Sequence, residues 1–361
     1  MYRLQKKSKT QNLKSKISGA RNLLLLVSLT GAAAIAPLIP IRSAIPASSS
    51  VIKLLPNPQP PTQSFANPQL RYIFLEHTGT IKSLAFSPDS RILASGGSDN
   101  DGIIRLWNTE TGKRIGIIDR AQKTAIESMV ISPDGQTLIS CSDDDTINLW
   151  NLATNKFTRS FVGHTSNVLS IAVTPDSKVL VSGALDGIRL WDLIQRRPLA
   201  VLAGLDNSVY RLAISPNGQT LASGDNNGVI KLWDLKAGRL VSTFSAHSNT
   251  VSSLAFTPDG STLVSASRDH TIKLWNVSTG ELVHTLIGHN NWVNAITINP
   301  NGRILASAGK DGIKLWSLPT GKLIKTLYGH SDWVSAIAFS PDGTMLASGG
   351  FDTRVDIWLS Q

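Results

Sequence analysis

Cysteine is almost missing from this chain of 361 residues: Cys141 stands alone. A single thiol excludes an intramolecular disulfide and a multi-thiolate metal site as the basis of the fold. Also missing are a Gly-rich phosphate loop, an HExxH pair and any Cys/His spacing suited to zinc. His270 and His284 have no metal partner near them in sequence, so no metal and no cofactor is expected. Acidic side chains are absent from the first 47 residues, which hold Arg3, Lys6, Lys7, Lys9, Lys14, Lys16, Arg21 and Arg42. Setting those eight cations aside lowers the formal charge of +10 to +2 for the rest of the chain. A nearly balanced remainder is not a nucleic-acid clamp, and nucleic acid is not expected as a partner.

After the basic segment the chain turns apolar, from Asn22 to Ala36, and then come Pro37, Pro40 and the small residues Ser43 to Ser50. That order resembles a secretory signal peptide, with a cut placed after Ala47. The 20 residues from Asn22 to Ile41 also approach the span of a bilayer core, so an uncleaved anchor stays open, as does an organelle transit peptide. The signal-peptide and anchor readings predict an extracytoplasmic domain, touching membrane only through residues 1–47. Residues 48–70, with Pro56, Pro58, Pro60, Pro61 and Pro68, read as an extended linker.

The remaining residues, 41% apolar over the whole chain, are organised by repetition. Trp recurs at 107, 150, 191, 233, 275, 316 and 358, at intervals of 41 to 43 residues, and seven units tile residues 71–361. Each unit has a Pro-Asp-Gly-like turn, as at Pro133-Asp-Gly135 and Pro258-Asp-Gly260, where Pro fixes φ and Gly or Asn tolerates positive φ. Segments of alternating character come next, such as Leu263 to Ser267 and Thr271 to Trp275, and a period of two means strands. A second hairpin turn lies just after most of the tryptophans, as at Thr279-Gly280, so four short strands per unit are expected.

Gly163-His164, Gly288-His289, Gly329-His330, Trp191-Asp192 and Trp233-Asp234 resemble the WD40-repeat family, in its bacterial form. The resemblance implies an all-β, seven-bladed propeller of four-stranded antiparallel blades. Only Leu359 to Gln361 come after the last Trp, so the seventh blade lacks its outer strand. Residues 71–75 precede His77 as Leu282 to Leu286 precede His289, and they are expected to complete that blade and remove the open edge.

Five units carry a His, a Ser, an Asp and the Trp: His77, Ser95, Asp101, Trp107; His164, Ser182, Asp186, Trp191; His247, Ser265, Asp269, Trp275; His289, Ser307, Asp311, Trp316; and His330, Ser348, Asp352, Trp358. Ser, His and Asp together can form a hydrolase triad. Five copies of a nucleophile serve no enzyme, and the resemblance implies buried hydrogen-bond chains that tie the strands together. Unit two has Arg120-Ala121 where Gly-His is expected, and unit four has Leu205 for His and Asn227 for Asp, so these two blades are expected to be held least tightly. The acidic turns Asp99 to Gly102 and Asp143 to Asp145 lack the spacing of a calcium loop.

One face of a propeller is built from the loop before each first strand and the turn before each third strand, and its side chains are released from core packing. The loop positions are Thr80, Ala125, Asn167, Ser208, Thr250, Trp292 and Trp333. The turn positions are Asn100, Asp143, Leu185, Asn226, Arg268, Lys310 and Phe351. Trp292, Trp333, Phe351, Arg268 and Lys310 therefore form the expected partner site, of residue types enriched at interface hot spots. Packing of Trp on a neighbouring loop is the alternative. The sequence points to a non-catalytic protein-binding scaffold or adaptor with a monomeric propeller; an enzyme using the central channel and a small-ligand or glycan module are the other readings.

Overall fold

The Pro-Asp-Gly turns reverse the chain because one residue of each enters the left-handed region, as Gly135 does at φ 73°. Ser90 and Ser177 take that conformation at φ 62° and 59°, and each hydroxyl oxygen accepts an amide N–H from an adjoining blade, from Asp342 and Asp134 at 3.1 Å. The second hairpin turns use Gly112, Gly238, Gly280 and Gly321 in the same way, with Asn155 and Arg196 in blades two and three.

The computed structural model describes residues 65–98, 101–204 and 208–360. They contain 28 strands in seven four-stranded antiparallel sheets. Blades one to six each use four consecutive strands, in order from the centre outward; blade five, for example, runs Val251–Phe256, Thr262–Ser267, Thr271–Asn276 and Leu282–Ile287. The innermost strands pack side by side in a closed circuit, the last, Val334–Phe339, meeting the first, Ile81–Phe86. Burial falls outward. The second strand of blade five is buried after its first residue, because neighbouring blades cover both faces, whereas its outer strand is mostly exposed.

The ring closes as the sequence implies: Gln69–Phe74 pairs antiparallel with Val355–Leu359, as the outer strand of blade seven. Phe74 then stacks on Trp107 of blade one, with ring centroids 4.2 Å apart. The closing strand starts two residues before Arg71, and Phe65, inside the expected linker, is fully buried. An apolar residue two positions after the Trp joins the cluster shared with the preceding blade in Leu152, Leu193, Leu235, Val277 and Leu318. Blade seven has Ser360 at that place, and Phe65 joins its cluster instead, edge-on to Phe339 at 5.0 Å.

The expected signal peptide or anchor over residues 1–47, and the linker up to residue 64, lie outside the described residues. Among the described residues no helix is long and apolar enough to cross a membrane.

Candidate functional site

Each blade's third strand carries Trp inward over the second strand, where a Ser hydroxyl faces it. In blade six Trp316 Nε1 donates to Ser307 Oγ at 2.8 Å, Ser307 lies 2.7 Å from His289 Nε2, and His289 Nδ1 lies 2.6 Å from Asp311. The arrangement that uses each atom once runs one way: indole N–H to Ser oxygen, Ser hydroxyl to Nε2, Nδ1–H to carboxylate. The same chain joins Trp107, Ser95, His77 and Asp101 in blade one, and Trp191, Ser182, His164 and Asp186 in blade three. It recurs through Trp275, Ser265, His247 and Asp269 in blade five, and through Trp358, Ser348, His330 and Asp352 in blade seven. The serines are fully buried and already accept the indole proton, a poor position for a nucleophile that must reach a substrate.

Burial pushes the imidazoles of His77, His164 and His289 below the ordinary histidine value, against the pull of their Asp partners. Burial works to raise the carboxyls of Asp269 and Asp311, but hydrogen bonds from His247 and His289 hold both below the usual range. In blades one, three and six both shifts favour a neutral imidazole on an ionised carboxylate. Cys141 is buried, and its thiol is pushed well up by that burial.

The two departing blades differ from each other. In blade two the residue that meets Ser140 is Gln122, one position beyond Ala121: its Nε2 donates to Ser140 Oγ at 3.0 Å, and Thr146 and Asn148 donate to its Oε1. The constant interval of 18 residues from His to Ser, seen at His164 and Ser182, marks Gln122 in the sequence. In blade four Trp233 donates to Ser223 at 2.9 Å, and Asp225 accepts the amides of Asn227 and Val229; Leu205 lies outside the described residues.

The loop and turn positions of a blade meet on one face: Arg268 N donates to Thr250 O at 3.1 Å and Phe351 N to Trp333 O at 2.8 Å. On that face the rings of Trp292 and Trp333 lie 5.5 Å apart. Arg268 sits over Trp292 at 4.8 Å and Lys310 over Trp333 at 5.7 Å. Trp292 and Phe351 are 41% and 51% exposed, Trp333 is half-buried, and Arg268 and Lys310 are exposed. The structure therefore gathers all five residues, and it adds a cavity of about 350 Å³ that runs from Trp292, Trp333, Phe351 and Arg268 into the channel.

The channel wall was not legible as a site. In six blades the register between the innermost and second strands slips by one residue, and a bulge re-aims the unpaired side chain. The residues so released, among them Lys82, Glu127 and Asn294, line the channel with Arg211. Several bind the next blade: Lys82 pairs with Glu127, Asn294 donates to Val334 O at 3.0 Å, and Ser335 donates to Ile81 O. In blade seven, Asp356 occupies the third-strand place held by Lys or Arg in five others; it is fully buried beside Arg354 at 2.9 Å, and burial pushes its carboxyl up. Among the described residues no cluster of His, Cys, Asp or Glu could hold a metal ion.

The family described as "WDR3 first beta-propeller domain" matches residues 178–359, just over half of the chain. "WD domain, G-beta repeat" matches residues 68–108, 112–151 and 155–192. Anaphase-promoting complex subunit cdh1 of Dictyostelium discoideum is 36% identical over 118 residues, 32% of this chain and 15% of that protein. B-type cell cycle switch protein ccs52A of Medicago truncatula is 34% identical over 127 residues, covering 34% and 26%. WD repeat-containing protein srw1 of Schizosaccharomyces pombe is 33% identical over 118 residues, covering 32% and 21%. The matched stretch thus spans about a quarter or less of these relatives, and all three organisms are eukaryotes, which gives no support to a bacterial form. The expected extracytoplasmic placement, with its signal peptide or transmembrane segment, is corrected by the relatives, two of which are named for the anaphase-promoting complex and the cell cycle. The misleading signal was the apolar run after Arg21, which satisfied a hydropathy pattern without any second observation to fix its role.

Proposed function

The chain belongs to the WD40-repeat β-propeller family, and from that premise we propose that it is a non-catalytic adaptor holding other proteins on the face over blades five to seven. The observation that carries this reading is the pair of Trp292 and Trp333, each capped by a cation, at the mouth of a cavity of about 350 Å³. Aromatic and Arg anchors in a recess, surrounded by a polar rim, are the composition of an interface hot spot. The relatives' names, a subunit of a complex and a cell-cycle switch protein, support a role exercised through assembly with proteins. For catalysis in the channel the charged groups on its wall, among the described residues, are Lys82, Glu127 and Arg211. The first two neutralise each other and the third is bound to backbone carbonyls, so none is poised as base or nucleophile.

The test is the double substitution W292A/W333A in the full chain, assayed by co-purification from native cells beside circular dichroism and melting. Loss of a partner with the fold intact supports the site. Retained partners with a lowered melting temperature assign the two rings to loop packing and end the reading. The cavity beside two Trp faces also favours a small-ligand or glycan reading; quenching of Trp fluorescence by oligosaccharides, with displacement of the protein partner, would replace the adaptor with that module.

A further inference from the structure

Arg211 departs from its column. The equivalent places in the other six blades hold Ser83, Ser128, Ser170, Ser253, Ala295 and Ala336, and blade four alone sends a guanidinium into the channel. Its Nε donates to Ser252 O at 2.8 Å and its Nη1 to Tyr210 O at 2.7 Å and Leu169 O at 3.3 Å. All three acceptors are neutral carbonyls, and among the described residues neither Arg211 nor Arg268 forms an ion pair with a carboxylate. The channel walls desolvate Arg211 while Glu127 pulls the other way, and Arg268 stands close enough to repel it. Glu127 is already engaged by Lys82.

Two cations that repel each other thus face one cavity whose mouth is walled by Trp292, Trp333 and Phe351. A bare inorganic anion would leave the aromatic wall without contact, and a nucleic-acid backbone would find a domain region of nearly balanced charge. A carboxylate on an apolar stem fits both parts, the charge between the guanidiniums and the stem on the rings.

We propose that this cavity receives an Asp or Glu side chain from an acidic segment of a partner protein, seated between Arg211 and Arg268 with flanking apolar groups on Trp292 and Trp333. The proposal rests on the reading that this face binds proteins, and it fixes the chemistry of what enters.

The experiment titrates the purified full chain with a capped hexapeptide alternating Glu and Leu, with its Gln-Leu twin, with inorganic phosphate and with a short oligothymidylate, monitored by Trp fluorescence. The Glu peptide should bind about tenfold tighter than the Gln twin and weaken with salt, and R268Q should reduce its affinity about tenfold. R211Q should do the same where circular dichroism shows it folded; R268Q, on an exposed residue, keeps the test open if it does not. Equal binding of the two peptides, indifference to R268Q, no Glu-peptide binding up to about 1 mM, or preference for phosphate or oligothymidylate would overturn the proposal. If the Glu peptide fails while W292A/W333A still releases the native partner, the carboxylate seat falls and the protein-binding face stands.

Discussion

Blades five to seven and blades two to four share one four-stranded plan, yet they differ in what holds them and in what they display. Each of the former has a complete chain from Trp through Ser and His to Asp. Among the described residues of the latter only blade three does: blade two uses Gln122, and in blade four Trp233 donates to Ser223. The display divides the same way, Trp292, Trp333, Phe351, Arg268 and Lys310 on one side against Ala125, Asn167, Ser208, Asp143, Leu185 and Asn226 on the other. A satisfied buried network fixes strands and the loops they carry, and a surface held rigid loses less entropy when a partner docks. Seven near-copies therefore need not be equal: the arc in which every blade has the complete chain carries the candidate anchors.

Perturbing one arc at a time puts that contrast at risk. The greatest loss is expected from deleting Gln69–Phe74, which opens blade seven and bares the edge of Val355–Leu359; the destabilisation should be on the order of 5 kcal/mol or more, with oligomers on size exclusion. An unchanged melting curve and monomeric elution would show that closure contributes nothing. Phe65→Ala should cost about 3–4 kcal/mol by denaturant unfolding, because its ring is fully buried at the blade-seven cluster; a loss below about 1 kcal/mol would make it a bystander.

Next in size is His289→Ala, at about 1–3 kcal/mol, since it strands Ser307 and Asp311. Amides of blade six should then exchange as fast as those of blade four, and if they stay slower the network is not what distinguishes the arcs.

Acid should act in the same direction. Because burial lowers the folded-state values of His77, His164 and His289, the unfolded chain binds more protons once pH falls below about 6.5. That part of the stability is complete above this pH and is lost as pH drops toward the folded values. Hydrogen exchange at pH 7 and pH 5 should loosen blades one, three and six before blade four, and uniform loosening would contradict the assignment. The smallest effect is expected for Gln122→His, within about 1 kcal/mol, because Gln122 already satisfies Ser140; a large gain would show that the amide is a poor substitute.

The fold was legible because repetition multiplies weak signals: seven Trp at near-constant spacing, each with its turn, outweigh any single ambiguous strand. The His to Asp chains emerged from the same columns. Gln122 was hidden by an alignment anchored on Gly-His, which sets the eye one residue too early. Phe65 was hidden because it acts in another blade far along the chain, where no local pattern reports it. Lys82 and Glu127 needed the bulges, since a one-residue slip decides which side chain faces the channel, and Arg211, in a blade whose register does not slip, needed the ring that turns its column toward the channel. The N-terminal reading failed for the opposite reason: one apolar run, met once, had no repeat to check it against.

The most direct test of a binding face over blades five to seven places a photo-crosslinking amino acid at Phe351 in blade seven and, in a separate variant, at the equivalent Asp143 in blade two, in the protein's native cells. Protein adducts are expected from position 351, with few or none from position 143. Equal adducts at both, or adducts from position 143 alone, would contradict a binding face on that arc.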